Sequence, residues 1–202
     1  MRVRVTDPGG LSTFDDMVFF TLAGATGSTI TGTAGADTLT GGLGDDTLSG
    51  LAGNDLLTGN AGNDSLNGGL GLDTAIYGGG RSTYTIARSG NAITVSGGAD
   101  GTDSLTYVER LKFDDIGLAF DIDGNAGQAY RIYQAAFNRT PDIGGLSFWI
   151  HSMDIGFSLR DVASGFIARD EFRSQYGTSP TNYQLTTLLY NNVLHRNPDQ
   201  GG

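Results

Sequence analysis

The stretch between residues 32 and 76 decides the fold, because one short pattern repeats there without interruption. Written in nines, it reads GTAGADTLT, GGLGDDTLS, GLAGNDLLT, GNAGNDSLN and GGLGLDTAI. Each of the five blocks has Gly at positions one and four, Asp at position six and Leu, or Ala in the last block, at position eight. A low-complexity linker does not hold four positions in phase over five copies, so the pattern predicts a repeat architecture.

The residue types predict short strands joined by tight turns. Gly at positions one and four permits positive φ and close packing of successive turns, which a Cβ atom would obstruct. The end of a block, such as Thr38-Leu39-Thr40, alternates like a strand with one apolar side chain pointing inward. Burial of one Leu contributes about 1.5–3 kcal/mol, whereas ordering the backbone costs ~1–2 kcal/mol for each residue of the block. A hydrophobic core alone therefore cannot hold this segment in one structure.

The carboxylates of the same segment indicate what else stabilises it. Between residues 32 and 76 there are six Asp and no Lys or Arg. Rows of like charges repel each other unless a cation lies between them. Carboxylate and carbonyl oxygens suit Ca²⁺, which takes about six to eight oxygen ligands, and the segment has no His or Cys to favour another metal. The sequence therefore predicts that the repeats bind calcium.

These five blocks resemble the RTX, or hemolysin-type, calcium-binding repeat G-G-x-G-x-D-x-U-x. The resemblance implies a right-handed parallel β-roll in which two blocks make one turn, with a metal-binding turn in the first six residues of each block and a strand in the last three. Blocks eighteen residues apart would then stack, which pairs Asp37 with Asp55, Asp46 with Asp64, and Asp55 with Asp73. The two walls of the core would be lined by Leu39, Leu57 and Ala75 and by Ile30, Leu48 and Leu66.

The resemblance also implies a ligand set for the metal. We expect carboxylates at position six and backbone carbonyl oxygens at positions one, three and four of the first four blocks. The carboxylates are those of Asp37, Asp46, Asp55, Asp64 and Asp73. The carbonyl groups are those of Gly32, Ala34, Gly35, Gly41, Leu43, Gly44, Gly50, Ala52, Gly53, Gly59, Ala61 and Gly62. Because Ser28 replaces Asp in the degenerate block 23–31 and Leu72 precedes Asp73, we expect two or three well-formed sites.

Residues 81–121 are expected to cap the roll, since its last rung would otherwise present unpaired backbone groups. Two alternating strands, over 82–88 and 91–96, meet around Gly90, and residues 102–115 resemble the segment that closes RTX β-rolls in many secreted bacterial proteins. Four acidic residues fit either a further calcium site or ordinary turn chemistry: Asp100, Asp103, Asp114 and Asp115. Glu109-Arg110 predicts an ion pair at the surface or in the cap.

From residue 126 onward the periodicity becomes helical. Helices are predicted over 126–138, 143–153, 158–176, with or without a break, and 180–195. Ser158 with Asp161 fits a capping box. The stretch 121–125 is not an EF-hand, because Ala126 and Ile132 occupy the positions of the required Gly and bidentate acid. Asp123 or Asn125 is instead expected to cap the first helix.

A second repeat lies in this helical part. Residues 132–145 return 57 residues later, over 189–202, with the shared motif R-x-P-D-x-x-G. This resembles a domain of unknown function, built from tandem helical units, that often accompanies RTX repeats. Arg139 and Asp142 of the motif have either a structural role or a role in binding a ligand such as a glycan. Four aromatic residues are expected in the core rather than on a sugar-binding surface: Tyr133, Phe137, Phe148 and Trp149.

The predicted architecture is a mixed β then α fold. A right-handed parallel β-roll over residues 23–80 is followed by an antiparallel β cap over 81–121. An all-α helical domain over 122–202 comes next, with a truncated second unit. Residues 1–22 read as the end of a preceding Ig-like or cadherin-like β module, so we expect the chain to be a piece of a longer polypeptide.

Composition and motifs favour a binding module over an enzyme. A net charge of −10 argues against nucleic acid as a partner and favours cations. The chain has no Cys for disulfides or thiolate metal sites, and no apolar run long enough to span a membrane. His151 and His195 have no partner at metal-ligand spacing, and H-E-x-x-H, G-x-S-x-G and P-loop motifs do not occur.

The expected function is that of a non-enzymatic module of a secreted or cell-surface bacterial protein. It would fold on binding extracellular Ca²⁺, at concentrations of ~10⁻⁴–10⁻³ M. The RTX resemblance implies the type I secretion machinery as a partner. One alternative is an adhesin or surface-layer fragment that binds a glycan or protein. The other is the non-catalytic tail of a secreted protease, lipase or epimerase.

Overall fold

The computed structural model describes residues 26–198. It divides at residue 120 into a strand-rich unit and a helical unit. The β module expected over residues 1–22 lies outside the described residues. The end of the second R-x-P-D-x-x-G motif, after residue 198, also lies outside them.

The first unit has eleven short strands between residues 26 and 120. They are β1 (Thr29–Thr31), β2 (Thr38–Thr40), β3 (Thr47–Ala52), β4 (Leu56–Thr58), β5 (Ser65–Leu70), β6 (Thr74–Ile76), β7 (Tyr84–Ser89), β8 (Ala92–Gly97), β9 (Gly101–Thr106), β10 (Arg110–Lys112) and β11 (Gly117–Ala119). One sheet has the order β1-β3-β5-β9-β8-β7 and the other the order β11-β10-β6-β4-β2. The chain therefore passes from one sheet to the other once in every nonapeptide.

The repeat strands pair in parallel with strands eighteen residues away, β1 with β3 and β3 with β5 in one sheet, and β2 with β4 and β4 with β6 in the other. This register aligns the position-eight side chains in two columns. The columns are Ile30, Leu48 and Leu66, and Leu39, Leu57 and Ala75. All of these side chains are buried except Ile30, which is partly buried. The predicted parallel β-roll with a two-walled core is confirmed.

Strands beyond the repeats form the cap. The hairpin of β7 and β8 is antiparallel, as predicted around Gly90, and β8 continues antiparallel onto β9. Strand β9 then pairs in parallel with β5, and β10 pairs in parallel with β6. The rings of Tyr77, Tyr84 and Phe113 pack together with centroids 5.1 to 5.5 Å apart. The cap therefore combines antiparallel strands with two that extend the parallel roll.

The second unit has five helices between residues 121 and 198. They are α1 (Asn125–Phe137), α2 (Ile143–Asp154), α3 (Leu159–Ile167), α4 (Asp170–Tyr176) and α5 (Asn182–Leu194). The helix predicted over 158–176 is broken, because Arg169 adopts an extended conformation (φ −77°, ψ 146°) and becomes the N-cap of α4. Ser158 and Asp161 form the predicted capping box. Helix α5 begins two residues later than expected, after a capping box made by Thr181 and Gln184.

Two expectations for this unit are wrong. The N-cap of α1 is Gly124 rather than Asp123 or Asn125, and Asp121 Oδ2 accepts the Ala126 N–H at 3.0 Å. Phe148 is 53 % exposed, whereas its neighbour Trp149 is buried. Successive residues on a helix point about 100° apart, so adjacent aromatic side chains do not share one face. The other aromatic residues expected in the core, Tyr133 and Phe137, are buried.

The close contact between helices α1 and α2 depends on glycine. A Cβ atom on Gly145 of α2 would lie 2.5 Å from the Tyr133 hydroxyl oxygen of α1. The sequence repeat is also a repeat of structure, because α5 has the bounds of α1 shifted by 57 residues. Both helices end in a left-handed residue, Asn138 (φ 49°) and His195 (φ 52°). Among residues 26–198, none of the helices has the length and apolar character needed to cross a membrane.

Candidate metal centre

The Asp residues at position six stack in two columns. In each pair, the backbone N–H of one Asp donates to Oδ1 of the Asp eighteen residues later. These bonds join Asp37 to Asp55 (2.8 Å), Asp46 to Asp64 (2.7 Å) and Asp55 to Asp73 (2.8 Å). The structure thus brings together the three carboxylate pairs that the repeat spacing predicts.

The columns continue beyond the nonapeptides. The Asp64 N–H donates to Asp103 Oδ1 at 2.9 Å, and the Asp73 N–H donates to Glu109 Oε2 at 2.9 Å. At the other end, the Ser28 N–H donates to Asp46 Oδ1 at 2.6 Å. Asp103 and Glu109 were not predicted as members of the columns. Asp103 lies 30 residues after Asp73, out of phase with the repeat, and Glu109, although 36 residues after Asp73, lacks the Gly residues of a nonapeptide before it.

The columns are buried, although they consist of ionisable groups. Asp55 and Asp73 are 0 % exposed, and Asp46 and Asp64 are also buried. Oδ2 of Asp55, Asp64 and Asp73 has no hydrogen-bond partner among the described residues. A buried carboxylate oxygen without a donor costs several kcal/mol. These three oxygens therefore fit a site in which a cation supplies the missing interaction.

The turns adopt two forms that explain which oxygens lack a donor. In the first two blocks, Oδ2 accepts the N–H of position two, from Thr33 to Asp37 (2.6 Å) and from Gly42 to Asp46 (2.5 Å). In the last three blocks, position two has positive φ instead: Leu51 (74°), Asn60 (69°) and Gly69 (104°). Left-handed backbone costs a residue other than Gly about 1–2 kcal/mol. The turns of Leu51 and Asn60 thus combine backbone strain with an open carboxylate oxygen, and the turn of Gly69 has the open oxygen without the strain.

Glycine at position one lets the carboxylate fold back over its own turn. A Cβ atom on Gly50 would overlap Asp55 Oδ2 and would lie 2.5 Å from the Gly68 carbonyl oxygen of the stacked turn. A Cβ atom on Gly41 would likewise overlap Asp46 Oδ2 and would lie 2.6 Å from the Gly59 carbonyl oxygen. Carboxylate and carbonyl oxygens of successive turns therefore converge, and this arrangement of hard donors suits calcium.

The predicted carbonyl ligands lie in these same turns. Glycines at position four stack closely, since a Cβ atom on Gly53 would lie 2.5 Å from the Gly35 carbonyl oxygen. At position three, the Leu70 carbonyl oxygen accepts the Gly53 N–H at 2.8 Å. Within residues 26–198, no three His, Cys, Asp or Glu side chains converge on one point. A cation in the roll would therefore need backbone carbonyl groups beside the paired carboxylates, as Ca²⁺ does.

Burial changes the protonation of the columns. The pKa of Asp73 is raised to about 6, mainly by burial and in part by the neighbouring charges of Asp55 and Glu109. Burial also raises the pKa of Asp103 to about 6, with a contribution from the charge of Asp64. The pKa values of Asp55 and Asp64 are raised for the same reason. Without a cation, a proton is thus the alternative partner of these carboxylates.

We expect the calcium-free roll to be more stable at about pH 5 than at about pH 7.5. In the folded chain Asp73 and Asp103 have pKa values of about 6, whereas an unfolded Asp has a pKa of ~3.9. Between these values the folded state holds protons that the unfolded state releases, so stability falls as the pH rises through 6. Circular dichroism in chelator, recorded at the two pH values, measures the folded fraction of the roll.

The control for this prediction is the calcium-saturated protein. Protons compete with the cation there, so acidification should lower the melting temperature or leave it unchanged. Equal strand signals of the calcium-free chain at the two pH values would contradict the prediction.

The four acidic residues singled out in the cap do not form one cluster. Asp103 joins a column, whereas Asp100 accepts a hydrogen bond from the Tyr84 hydroxyl group. Asp115 accepts the Arg81 N–H at 2.8 Å, and Asp114 is exposed. Glu109, which was expected to pair with Arg110, accepts the Asp73 N–H. The cap acids therefore divide between column and turn roles.

The candidate ligand residues of the helical unit have structural contacts. Arg139 makes a two-point bond to Glu171 (2.7 and 2.9 Å) and lies over the ring of Tyr133. Asp142 Oδ1 accepts the Gly145 N–H at 2.7 Å and caps α2. These bonds lower the pKa values of Asp142 and Glu171.

A cavity of about 620 Å³ lies between α1 and α5, lined in part by Gln128, Arg131 and Asn192.

Comparison with known proteins agrees with the geometry. A family model for the RTX calcium-binding nonapeptide repeat (4 copies) matches residues 23–57, 40–75 and 49–84. A model for a domain of unknown function (DUF4214) matches residues 163–202. Neither model describes a catalytic domain, and no curated protein matches the chain. RTX repeats are typical of secreted bacterial proteins.

Two solved structures are similar to part of the chain. The extracellular lipase LipA from Serratia marcescens is 23 % identical, with a TM-score of 0.43 over 45 % of this chain. The AlgE6R3 subunit of the mannuronan C5-epimerase from Azotobacter vinelandii is 24 % identical, with a TM-score of 0.28 over 46 % of this chain. The chain spans 15 % of the lipase and 78 % of the epimerase subunit.

The family models thus cover the stacked turns and the last helices. Residues 23–84 carry RTX calcium-binding nonapeptide repeats, and residues 163–202 match a segment of a domain of unknown function.

Proposed function

We propose that residues 26–120 are a calcium-dependent folding module of a secreted bacterial protein. The module would stay unfolded in the low calcium of the cytosol, pass through type I secretion machinery and fold outside the cell. The observation that carries this proposal is the set of buried Oδ2 atoms without a donor in Asp55, Asp64 and Asp73. A cation that binds only the folded chain stabilises it by mass action.

The proposed ligands of the repeat sites are stacked pairs of carboxylates. Asp37 and Asp55 would hold one ion, Asp46 and Asp64 a second, and Asp55 and Asp73 a third. Carbonyl oxygens at positions one, three and four of the turns would complete the coordination. In this arrangement the cation neutralises charges that would otherwise repel each other, so binding and folding are one reaction.

We expect the full chain to bind calcium with a dissociation constant of ~10⁻⁴–10⁻³ M, the range of extracellular calcium modules. Isothermal titration calorimetry measures this constant, and circular dichroism recorded during the same titration reports folding. Magnesium serves as the control, because its demand for octahedral geometry and its reluctance to lose water disfavour a carbonyl-rich site. The absence of binding at about 10 mM calcium, well above this range, would reject the proposal.

A second candidate function is recognition of a glycan by the helical unit, as in an adhesin. The cavity between α1 and α5 supports it, because amide and guanidinium groups such as those of Gln128, Arg131 and Asn192 can hydrogen-bond to sugar hydroxyl groups. The remaining candidate is the non-catalytic tail of a secreted enzyme. In that case the catalytic function would reside in another part of a longer polypeptide.

A further inference from the structure

A sixth nonapeptide lies outside the repeat phase. Residues 98–106 read GADGTDSLT, with Gly at positions one and four, Asp at position six and Leu at position eight. The block begins 30 residues after Gly68, which is not a multiple of nine, so a search in phase does not find it. The 21 intervening residues, 77–97, contain the hairpin of β7 and β8.

The structure places this block in the roll as a regular rung. Strand β9 pairs in parallel with β5, with Leu66 opposite Leu105 and Ser65 opposite Ser104. Strands β3 and β5 pair at the same block positions, with Leu48 opposite Leu66. Leu105 is fully buried and extends the column of position-eight side chains. The hairpin is thus an insertion, after which the chain returns to the roll.

From position three to position six, the turn of the sixth block repeats the contacts of the regular turns, whereas a Cβ atom on Gly98 would meet the Tyr84 side chain and not the Asp of its own turn. The Gly62 N–H donates to the Asp100 carbonyl oxygen (3.2 Å), as the Gly53 N–H does to that of Leu70 (2.8 Å). These donors occupy position four and the acceptors position three.

The next two positions of the turn agree as well. The Thr102 N–H donates to Asn63 Oδ1 (3.0 Å), and in the regular pair the Leu72 N–H donates to Asn54 Oδ1 (3.0 Å). The bond from Asp64 to Asp103 (2.9 Å) corresponds to that from Asp55 to Asp73 (2.8 Å).

We propose that the turn 98–103 closes a calcium site against the turn 59–64, with the carboxylates of Asp64 and Asp103 as its charged ligands. This inference rests on the proposed function of the repeats. Asp64 is 2 % exposed and Asp103 1 % exposed, and Oδ2 of Asp64 has no described donor. In the regular turn 50–55, Oδ2 of Asp55 lies close to the Gly68 carbonyl oxygen of the next stacked turn. Oδ2 of Asp64 likewise folds back over Gly59 of its own turn, and the turn that stacks on this one is that of the sixth block.

The proposed site has a consequence for the cap. Its two carboxylates are 39 residues apart in the chain, so the bound ion would join the end of the repeats to the strand that follows the hairpin. Calcium would then order β9 and the hairpin of β7 and β8 together with the nonapeptides. The cap would then fold only together with the calcium-bound repeats, and it would not be folded beforehand.

The test is the number of calcium ions bound by the full chain and by Asp103→Asn. Asn keeps the Oδ1 atom that accepts the Asp64 N–H, so the variant removes the charge but not the hydrogen bond. Equilibrium dialysis should show one ion fewer for Asp103→Asn than for the wild type. The exposed Asp114→Asn serves as the control and should bind the wild-type number. An equal number for Asp103→Asn would overturn this site and leave the repeat sites intact, whereas a wild type without calcium would overturn the proposed function itself.

A second measurement needs no variant. Hydrogen exchange of the Gly62, Asp64 and Thr102 amides reports the contact between the two turns, because each donates across it. Calcium should slow their exchange at least as much as that of the Asp55 amide, which donates within the repeats. Exchange of these three amides that is equal with calcium and with chelator would overturn the proposal.

Discussion

Removal of calcium is expected to unfold the roll and to leave the helices folded. In the roll, the core provides about one aliphatic side chain for each nonapeptide, and buried carboxylates of the same charge stack directly on each other. Without a cation, the repulsion and the cost of burying these charges exceed what so thin a core contributes. The helical unit instead has an aromatic core around Phe137 and Phe166, and none of its described Asp or Glu side chains is buried.

Two signals measured on one sample separate these outcomes. Far-ultraviolet circular dichroism should lose its strand contribution when chelator replaces millimolar calcium. The fluorescence of Trp149, the only Trp of the chain, should keep the emission of a buried indole, because this side chain is 7 % exposed in the helical core. Excess calcium should restore the strand signal. A strand spectrum that is unchanged in chelator would show that the roll folds without metal.

Asp55→Ala is expected to be more damaging than the substitution of any Asp that belongs to only one of the proposed sites. Asp55 accepts the Asp37 N–H and donates its own N–H to Asp73, so its carboxylate belongs to two of the proposed sites. Its loss removes one ligand from each site and leaves the Asp37 N–H without its acceptor. We expect the calcium concentration at the folding midpoint to rise at least about tenfold, which corresponds to ~1.4 kcal/mol.

Two further variants make the Asp55 prediction specific. Asp55→Asn keeps the acceptor for the Asp37 N–H, so the difference between the Asn and Ala variants measures the hydrogen bond apart from the charge. Asp114→Ala removes an exposed carboxylate of the cap and should have the midpoint of the wild type. Circular dichroism during a calcium titration measures all midpoints. A midpoint shared by Asp55→Ala and Asp114→Ala would show that eighteen-residue stacking does not create the sites.

Much of the first unit could be predicted because its signal is local and periodic. A nine-residue period implies which side chains stack, so the columns of Leu48 and Leu57 and the pairing of Asp55 with Asp73 follow from counting residues. In the helical unit, Ser158 with Asp161 was predictable for the same reason, because both partners of a capping box lie within one turn of helix. The position of the break at Arg169 and the exposure of Phe148 could not be predicted in this way, because both depend on what each helix packs against.

The sequence by itself determined the coil of the nonapeptides, the two carboxylate columns within it and calcium as their ligand. These properties depend on spacing along the chain, and five blocks in phase specify the spacing completely. Only the tertiary structure decided that Asp103 and Glu109 extend the columns. The hairpin of β7 and β8 shifts the phase, and the return of β9 to β5 depends on pairing between strands that are far apart in the chain. Residues 98–106 have the pattern of a nonapeptide, but the inserted hairpin breaks the count from the fifth block, so only the pairing of β9 with β5 decides which rung they join.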